Sequence, residues 1–269
     1  MEVSVIPKNA CLVARVFVPD VGPCVARVDG ESLVDVTASF PTMRDLCEQK
    51  DPAAAVRAAK GNPLGKTADI LANAAPDSRN NARPWLLTPI DLQAIKAAGV
   101  TFVVSMLERV IEEKARGDAN AASSRRTHIR DLVGDDLRKL KPGSPEAAAL
   151  KETLIKAGAW SQYLEVGIGP DAEIFTKGQP MSAVGSMMDV GVHPKSTWNN
   201  PEPEVVLVVS SKGTIVGASL GNDVNLRDVE GRSALLLGKA KDNNAATAIG
   251  PFIRLFDDKF DLDTVRKMD

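Results

Sequence analysis

Two glutamates one residue apart, Glu202 and Glu204, stand at the entrance of the apolar run EVVLVV, and an aspartate, Asp223, follows the next such run, TIVGASL. The linking SSKG has turn composition, so the two runs predict a β-hairpin. Pairing Val209 with Thr214 sets Glu204 opposite Ser219 and Glu202 opposite Gly221, with Asp223 just beyond that pair at the same end. Side chains alternate along a strand, so the two glutamates share a face. The hairpin therefore gathers three carboxylates at one mouth. Clustered carboxylates repel one another, and burial makes each charge costlier. A hard divalent cation relieves both problems. Mg²⁺ takes oxygen ligands in octahedral geometry and keeps several waters. Open positions would suit a 2-oxo acid held by one carboxylate oxygen and its keto oxygen, with the carbonyl polarised towards an enolate. Solvated acids at a strand entrance are the competing reading. Three cations follow, Arg227, Lys239 and Lys241, and GKAKDNNAATAIGP reads as a polar turn opening onto another apolar segment. They could hold a substrate carboxylate or tune a base; from the residues alone, ordinary surface charge is the slightly favoured reading.

The elements that must position these residues are short. CLVARVFV, CVARV and SLVDVT read as strands separated by turn compositions. Thr42 can cap a helix over MRDLCEQ, and DPAAAVRAAK is a second helical patch. PDSRNNARP, at 76–84, is the most linker-like stretch, and places a boundary between a β-rich domain at 1–84 and a catalytic domain at 85–269. Leu92, Ile95 and Ala98 recur at helical spacing. VTFVVS is β-like, MLERVIEEKARG is helical, and residues 118–156 are helical apart from KPGSP. From Tyr163 onward, β-like runs alternate with glycine and proline turns. The fold class expected is α+β and β-rich.

Composition excludes several functions. The 269 residues carry 33 basic and 35 acidic side chains, a net charge of −2, so no basic excess points to nucleic acid. Aromatic residues, at 4%, are too few for base-stacking platforms. Cys11, Cys24 and Cys47 have no CxxC spacing and read as buried thiols of a reducing compartment. The N-terminus lacks the layout of a signal peptide, and no run approaches the roughly 18 apolar residues of a membrane span. A cytoplasmic protein is expected. GNPLGKT has three residues between its first glycine and Gly-Lys-Thr, where a phosphate loop needs four, and is expected to be a surface turn. His128 and His193 belong to no spaced ligand set, and no GxSxG occurs.

The segment Gln162–Phe256 resembles the fumarylacetoacetate hydrolase family in YLEVGIGPDAEIFTKGQPMSAVG, EPEVVLVV, GNDVNLRD and GKAKDNNAATAIGPF. The resemblance implies a mixed β-roll with peripheral helices beside a small N-terminal β-rich domain, and a homodimer. It implies Mg²⁺, with Mn²⁺ or Ca²⁺ as substitutes, on Glu202, Glu204 and Asp223. It also implies substrate or catalytic contacts from Arg227 and from a lysine, Lys239 by the match of K-A-K-D to K-x-x-D, with Lys241 as the alternative and Lys177 a further substrate contact. GESLVDVTASFPTMRDL and GRSALLLGKAKDNNA are similar to one branch, the 2-keto-3-deoxy-pentonate dehydratases, which yield 2,5-dioxopentanoate. C–C hydrolases of the family often carry a histidine in the segment matching FVVSMLERV. Glu108 and Arg109 stand there instead, which favours elimination over acylpyruvate-type hydrolysis or oxaloacetate decarboxylation. Ser105, Glu108, Arg109 and Glu112 are the candidates for proton handling and substrate contact. Family members continue beyond RKMD with further core strands, so the chain is expected to be C-terminally incomplete, and an inactive remnant is the third reading. Met187 and Met188 stand where a glycine or small residue is expected.

Overall fold

The apolar alternation of the N-terminal runs becomes a meander in the computed structural model, which describes residues 6–7, 9–99, 140–158, 160 and 162–268. Strands β1 (Leu12–Val18), β2 (Gly22–Asp29) and β3 (Ser32–Asp35) pair antiparallel in sequence order. Helix α1 (Met43–Cys47) opens on a capping box between Thr42 and Asp45, and α2 (Pro52–Ala58) opens on Asp51 with proline in its first turn. There follow β4 (Asn62–Lys66), α3 (Thr67–Ala72), β5 (Trp85–Leu86) and β6 (Ile95–Ala98). Beyond these come α4 (Pro145–Lys156), capped by Ser144, then α5 (Gln162–Ile168) and β7 (Ile174–Gly178). The C-terminal part holds β8 (Asn199–Asn200), β9 (Pro203–Val209), β10 (Ile215–Asp223), β11 (Asn225–Leu226), α6 (Arg227–Glu230), α7 (Leu237–Lys241), β12 (Thr247–Leu255) and α8 (Leu262–Arg266).

One sheet runs β4-β3-β2-β1-β12-β10-β9, with β5 added on β1. Its ladders are antiparallel, and a parallel bridge joins Val184 to Ala248. The fold is the β-rich α+β class expected. Because β1 pairs with β12 (Leu12↔Arg254), the two chain ends share a sheet and a core. Val13, Val25, Met43, Leu46, Val56, Ile253 and Leu255 bury their side chains in one cluster, each worth about 1.5–3 kcal/mol of apolar transfer. Contacts group Met1–Lys96 with Thr176–Asp269, and Ala97–Phe175 separately, so residue 84 lies inside the first unit. Among the described residues no helix is long and apolar enough to cross a membrane.

Several local expectations change. PDSRNNARP is a tied turn: the Asn73 amide donates to the carbonyls of Asn80, Arg83 and Pro84, and Arg79 lies over Trp85, which stacks on Phe17. GNPLGKT contributes the edge strand β4 rather than a turn. Gln162–Ile168 is helical where a β-like region was expected to begin. The helix expected through Leu92, Ile95 and Ala98 is extended chain ending in β6, with Leu92 exposed. Tertiary contacts override the spacing here. Asp91 is buried and accepts from the α1 amides of Met43 (2.7 Å) and Arg44 (3.2 Å), while Arg15 Nε lies 3.4 Å from its carboxylate. Those bonds hold residue 91 at the N-terminus of another helix. The three cysteines are free and buried, as expected, and burial pushes the Cys47 thiol up to about 12.

Asp91→Ala would strand the buried Arg15 without its counter-charge and remove the partners of two α1 amides. The expected loss is about 3–5 kcal/mol, read as a lower urea midpoint at unchanged slope. A midpoint equal to that of the unmodified chain would refute this role.

Candidate metal centre

The β9–β10 hairpin forms as expected, in a register displaced by two residues. Ser210 N donates to Thr214 O, and Gly213 sits at φ 77°, so the loop is the three residues 211–213 with glycine in the left-handed position. An irregularity between Ile215 and Gly217 adds one more residue to β10. Gly221 therefore faces Glu204, and Asp223 N donates to Glu202 O at 2.9 Å. A shift of two keeps every side chain on its face. It also brings Asp223 directly across from Glu202 instead of beyond the last pair. The turn is anchored from α1, whose C-cap residue Glu48 accepts from Ser211 N and Oγ at 2.7 Å each.

Glu202, Glu204 and Asp223 each present a carboxylate oxygen, and these lie within 4.8 Å of one another. Two lysines meet them. Lys241, at the end of α7 and 3% exposed, hydrogen-bonds Glu202 Oε2 and reaches Asp223 Oδ2 at 3.1 Å. Lys177, near the end of β7 and 1% exposed, donates to Val224 O (3.0 Å) and Lys241 O (2.5 Å), and lies 3.2 Å from Asp223 Oδ1. That ion pair is the only contact of the buried Asp223 Oδ1 among the described residues. Among the described residues no donor hydrogen-bonds the Glu204 carboxylate. The β8–β11 pair sets Asn200 beside Asn225. Their amides address Glu202 Oε1 at 3.4 Å and 3.1 Å respectively.

The electrostatics follow from burial and the lysines. Burial raises the Asp223 carboxyl above its ordinary range despite both ammoniums. Burial, then the charge of Asp223, raises Glu204. Burial also acts upward on Glu202, but the hydrogen bond and charge of Lys241 outweigh it and hold Glu202 low. Burial would depress Lys241; Asp223 and Glu202 together hold it above the usual lysine value. For Lys177 burial wins and the ammonium is depressed.

The donor set fits a small divalent cation. Octahedral Mg²⁺ with oxygens at about 2.0–2.1 Å sets opposite ligands about 4.2 Å apart, close to the spread of the three carboxylates. Asp223 Oδ1 has only the Lys177 ion pair, and among the described residues nothing donates to the Glu204 carboxylate. Formally, three carboxylates and two ammoniums leave one negative charge. A divalent cation turns that into one positive charge, and a monocarboxylate would neutralise it.

Not all sequence candidates arrive here. Lys239 is exposed, and its carbonyl accepts from the Asn243 side chain; residues two apart on a helix face different ways, so Lys241 meets the acids and Lys239 does not. Arg227 pairs with Glu230 at 3.5 Å, one turn along α6. Ser105, Glu108, Arg109, Glu112 and His128 lie outside the described residues. His193 is partly buried in a loop, its Nδ1 accepting from Lys195 N. Met187, where a small residue was expected, has φ 67°, a left-handed conformation that favours glycine. The sequence reading missed Asn200, Asn225 and Glu230; the only signal was that N-D-V-N brackets Asp223 with amides.

No protein-family model matches the chain. It is 37% identical over 91 residues to the probable 2-keto-3-deoxyxylonate dehydratase of Haloferax volcanii, covering 34% of this chain and 31% of that one. It is 38% identical over 81 residues to the 2-dehydro-3-deoxy-D-arabinonate dehydratase of Saccharolobus solfataricus, covering 30% and 27%. The matched segments thus span less than a third of those relatives. A solved structure of 2-keto-3-deoxy-D-arabinonate dehydratase, complexed with magnesium and 2,5-dioxopentanoate, superposes with a TM-score of 0.57 at 19% identity over 90% of this chain and 65% of that one. That likeness shows a shared fold. The sequence relatives bear out the resemblance to the dehydratase branch.

Lys241→Met should destabilise the cation-free chain by about 3–5 kcal/mol, because Glu202 and Asp223 lose a buried counter-charge. Glu204→Gln should leave stability at pH 7 equal or higher. Glu204 is raised in the folded state, so the wild-type chain loses stability as pH climbs from the ordinary glutamate range through that raised value, and the glutamine variant lacks this loss. Urea titrations across pH check both; a Glu204→Gln chain less stable at pH 7 would contradict the crowding.

Proposed function

We propose that this chain binds a divalent cation, Mg²⁺ foremost, through Glu202, Glu204 and Asp223, and dehydrates a 2-keto-3-deoxy sugar acid to 2,5-dioxopentanoate. The observation that carries the reading is the meeting of three carboxylates with two buried lysines at one hairpin mouth. The fold is shared with a dehydratase structure that holds magnesium and that product, which supports the same reading. When bound, the cation would polarise the 2-oxo group and so acidify C3.

The chain's own residues prepare the site around this. Lys241 balances Glu202 and Asp223 and keeps its charge, since both acids hold its proton. Lys177 ties the end of β10 to α7 through Val224 O and Lys241 O, which fixes the lysine and aspartate relative to each other. The formal positive charge left by cation binding suits the carboxylate of a 2-oxo acid. Removal of the C3 proton and departure of the C4 hydroxyl are assigned to Glu108 and Glu112, with Ser105 and Arg109 as substrate contacts. Arg227, half-exposed on α6, is the further cation for the substrate's polar end. A homodimer is part of the proposal. Val205, Leu207, Val209 and Leu220 are apolar and exposed on or beside edge strand β9, a surface that a second copy would cover.

The test is the product. With Mg²⁺ and 2-keto-3-deoxy-pentonate, NMR should show a C5 aldehyde growing in; two acids would mean a hydrolase, and carbon dioxide from oxaloacetate a decarboxylase. No turnover by a chain that binds Mg²⁺ would sink the catalytic reading and leave an inactive remnant. Mg²⁺ at a hundredfold its dissociation constant should stabilise the chain by about 2.7 kcal/mol, and Glu204→Ala should lose that response. Protons compete for the raised Glu204 and Asp223, so the Mg²⁺-induced rise in Tm should fade on acidification above the ordinary carboxylate range. A rise that persisted into that range would contradict the ligand assignment.

A further inference from the structure

Asn225, in β11, is fully buried behind the acid cluster. Its Nδ2 donates to Glu202 Oε1 at 3.1 Å and to Glu230 Oε2 at 2.5 Å. Reversing the amide would aim its oxygen at two carboxylates, so the acceptors dictate the orientation. In that orientation Oδ1 is buried and hydrogen-bonds nothing among the described residues. An amide serving stability alone would satisfy both ends. This one leaves its acceptor orphaned and keeps its donor between two anions.

Glu202 is held unlike its neighbours. Lys241 takes Oε2, and Asn225, with a longer contact from Asn200, takes Oε1. With both oxygens engaged, the plane of that carboxylate is set. Glu204 has no such donor among the described residues. Behind Asn225, Glu230 is itself paired with Arg227.

We infer that Asn225 is a positioning residue, fixing the Glu202 carboxylate for cation binding with Glu230 as its anchor. This rests on the ligand set proposed above. Remove the amide donor, and Glu202 and Glu230 become two like charges with nothing bridging them. Outer-layer groups of this kind characteristically govern how well a ligand presents itself to its ion.

Mn²⁺ titration of the purified chain, by calorimetry and by the EPR spectrum of the bound ion, tests it. Asn225→Leu keeps a similar volume but removes the donor, whereas a buried aspartate there would be protonated between two carboxylates and donate again. Mn²⁺ affinity is expected to fall about 10–100-fold, with a changed spectrum for the ion that still binds. Glu230→Leu should weaken binding by a smaller factor, and Glu230→Gln, which retains an acceptor, should restore it. A lower unfolding midpoint of the cation-free Asn225→Leu chain, with affinity and spectrum unchanged, would overturn the inference. Should that variant not fold, the Glu230 pair decides: equal affinities for Glu230→Leu and wild type also overturn it. A wild-type chain that binds no Mn²⁺ removes the ligand set itself, and the inference with it.

Discussion

Like charges at close quarters set the terms for this part of the molecule. Asp223 is 4% exposed and sits among two further carboxylates, a position that water cannot stabilise and that the chain must compensate from within. Two ammoniums arrive from different elements, β7 and α7, and the amides of Asn200 and Asn225 from the small β8–β11 pair. Even so, the formal charge of the three carboxylates and two ammoniums stays negative. Among the described residues the site is nearly balanced and short of one positive charge. Its sparsely partnered oxygens and raised carboxyl groups are the same fact seen through geometry and through protonation.

The sheet makes this crowding sustainable. β10 is flanked by β9 and β12, and β12 pairs with β1, so the hairpin mouth is tied through the sheet to the core packed under α1 and α2. Glu48 holds the far turn of the hairpin, and Asp91 with Arg15 holds α1 in turn. Sites carried on strands tolerate repulsion better than sites on free loops, because relaxing the charges would require breaking a ladder. The same arrangement leaves β9 as an apolar edge, where the outward residues are valine and leucine instead of the lysines that usually guard an edge.

Much of this was legible in the residues alone. The β-rich runs EVVLVV and TIVGASL, joined by the turn SSKG, are enough for a hairpin, and strand periodicity is enough to place both glutamates on one face. Thr42 acts as a local cap, which needs no distant partner. That the three cysteines are buried free thiols followed from their odd number and the lack of CxxC spacing. The hairpin, the shared face and the cap rest on neighbours within a few positions along the chain.

What only the tertiary structure decided depends on contacts between distant segments. A three-residue loop and an added residue in β10 changed the register, moving Asp223 opposite Glu202. The phase of five-residue α7 chose Lys241 over Lys239, since so short a helix has no amphipathic pattern to read. Asp91 cancelled an apparent helix because its carboxylate serves α1, 47 and 48 positions away in the chain. Asn225 carried no signal of its own; only the fold set its amide between Glu202 and Glu230. The sequence by itself determined which side chains could form the site and which face of the hairpin bears them, because those follow from residue type and period. Which lysine, which amides and which register complete it are set by long-range packing, where a shift of one residue exchanges a partner for solvent.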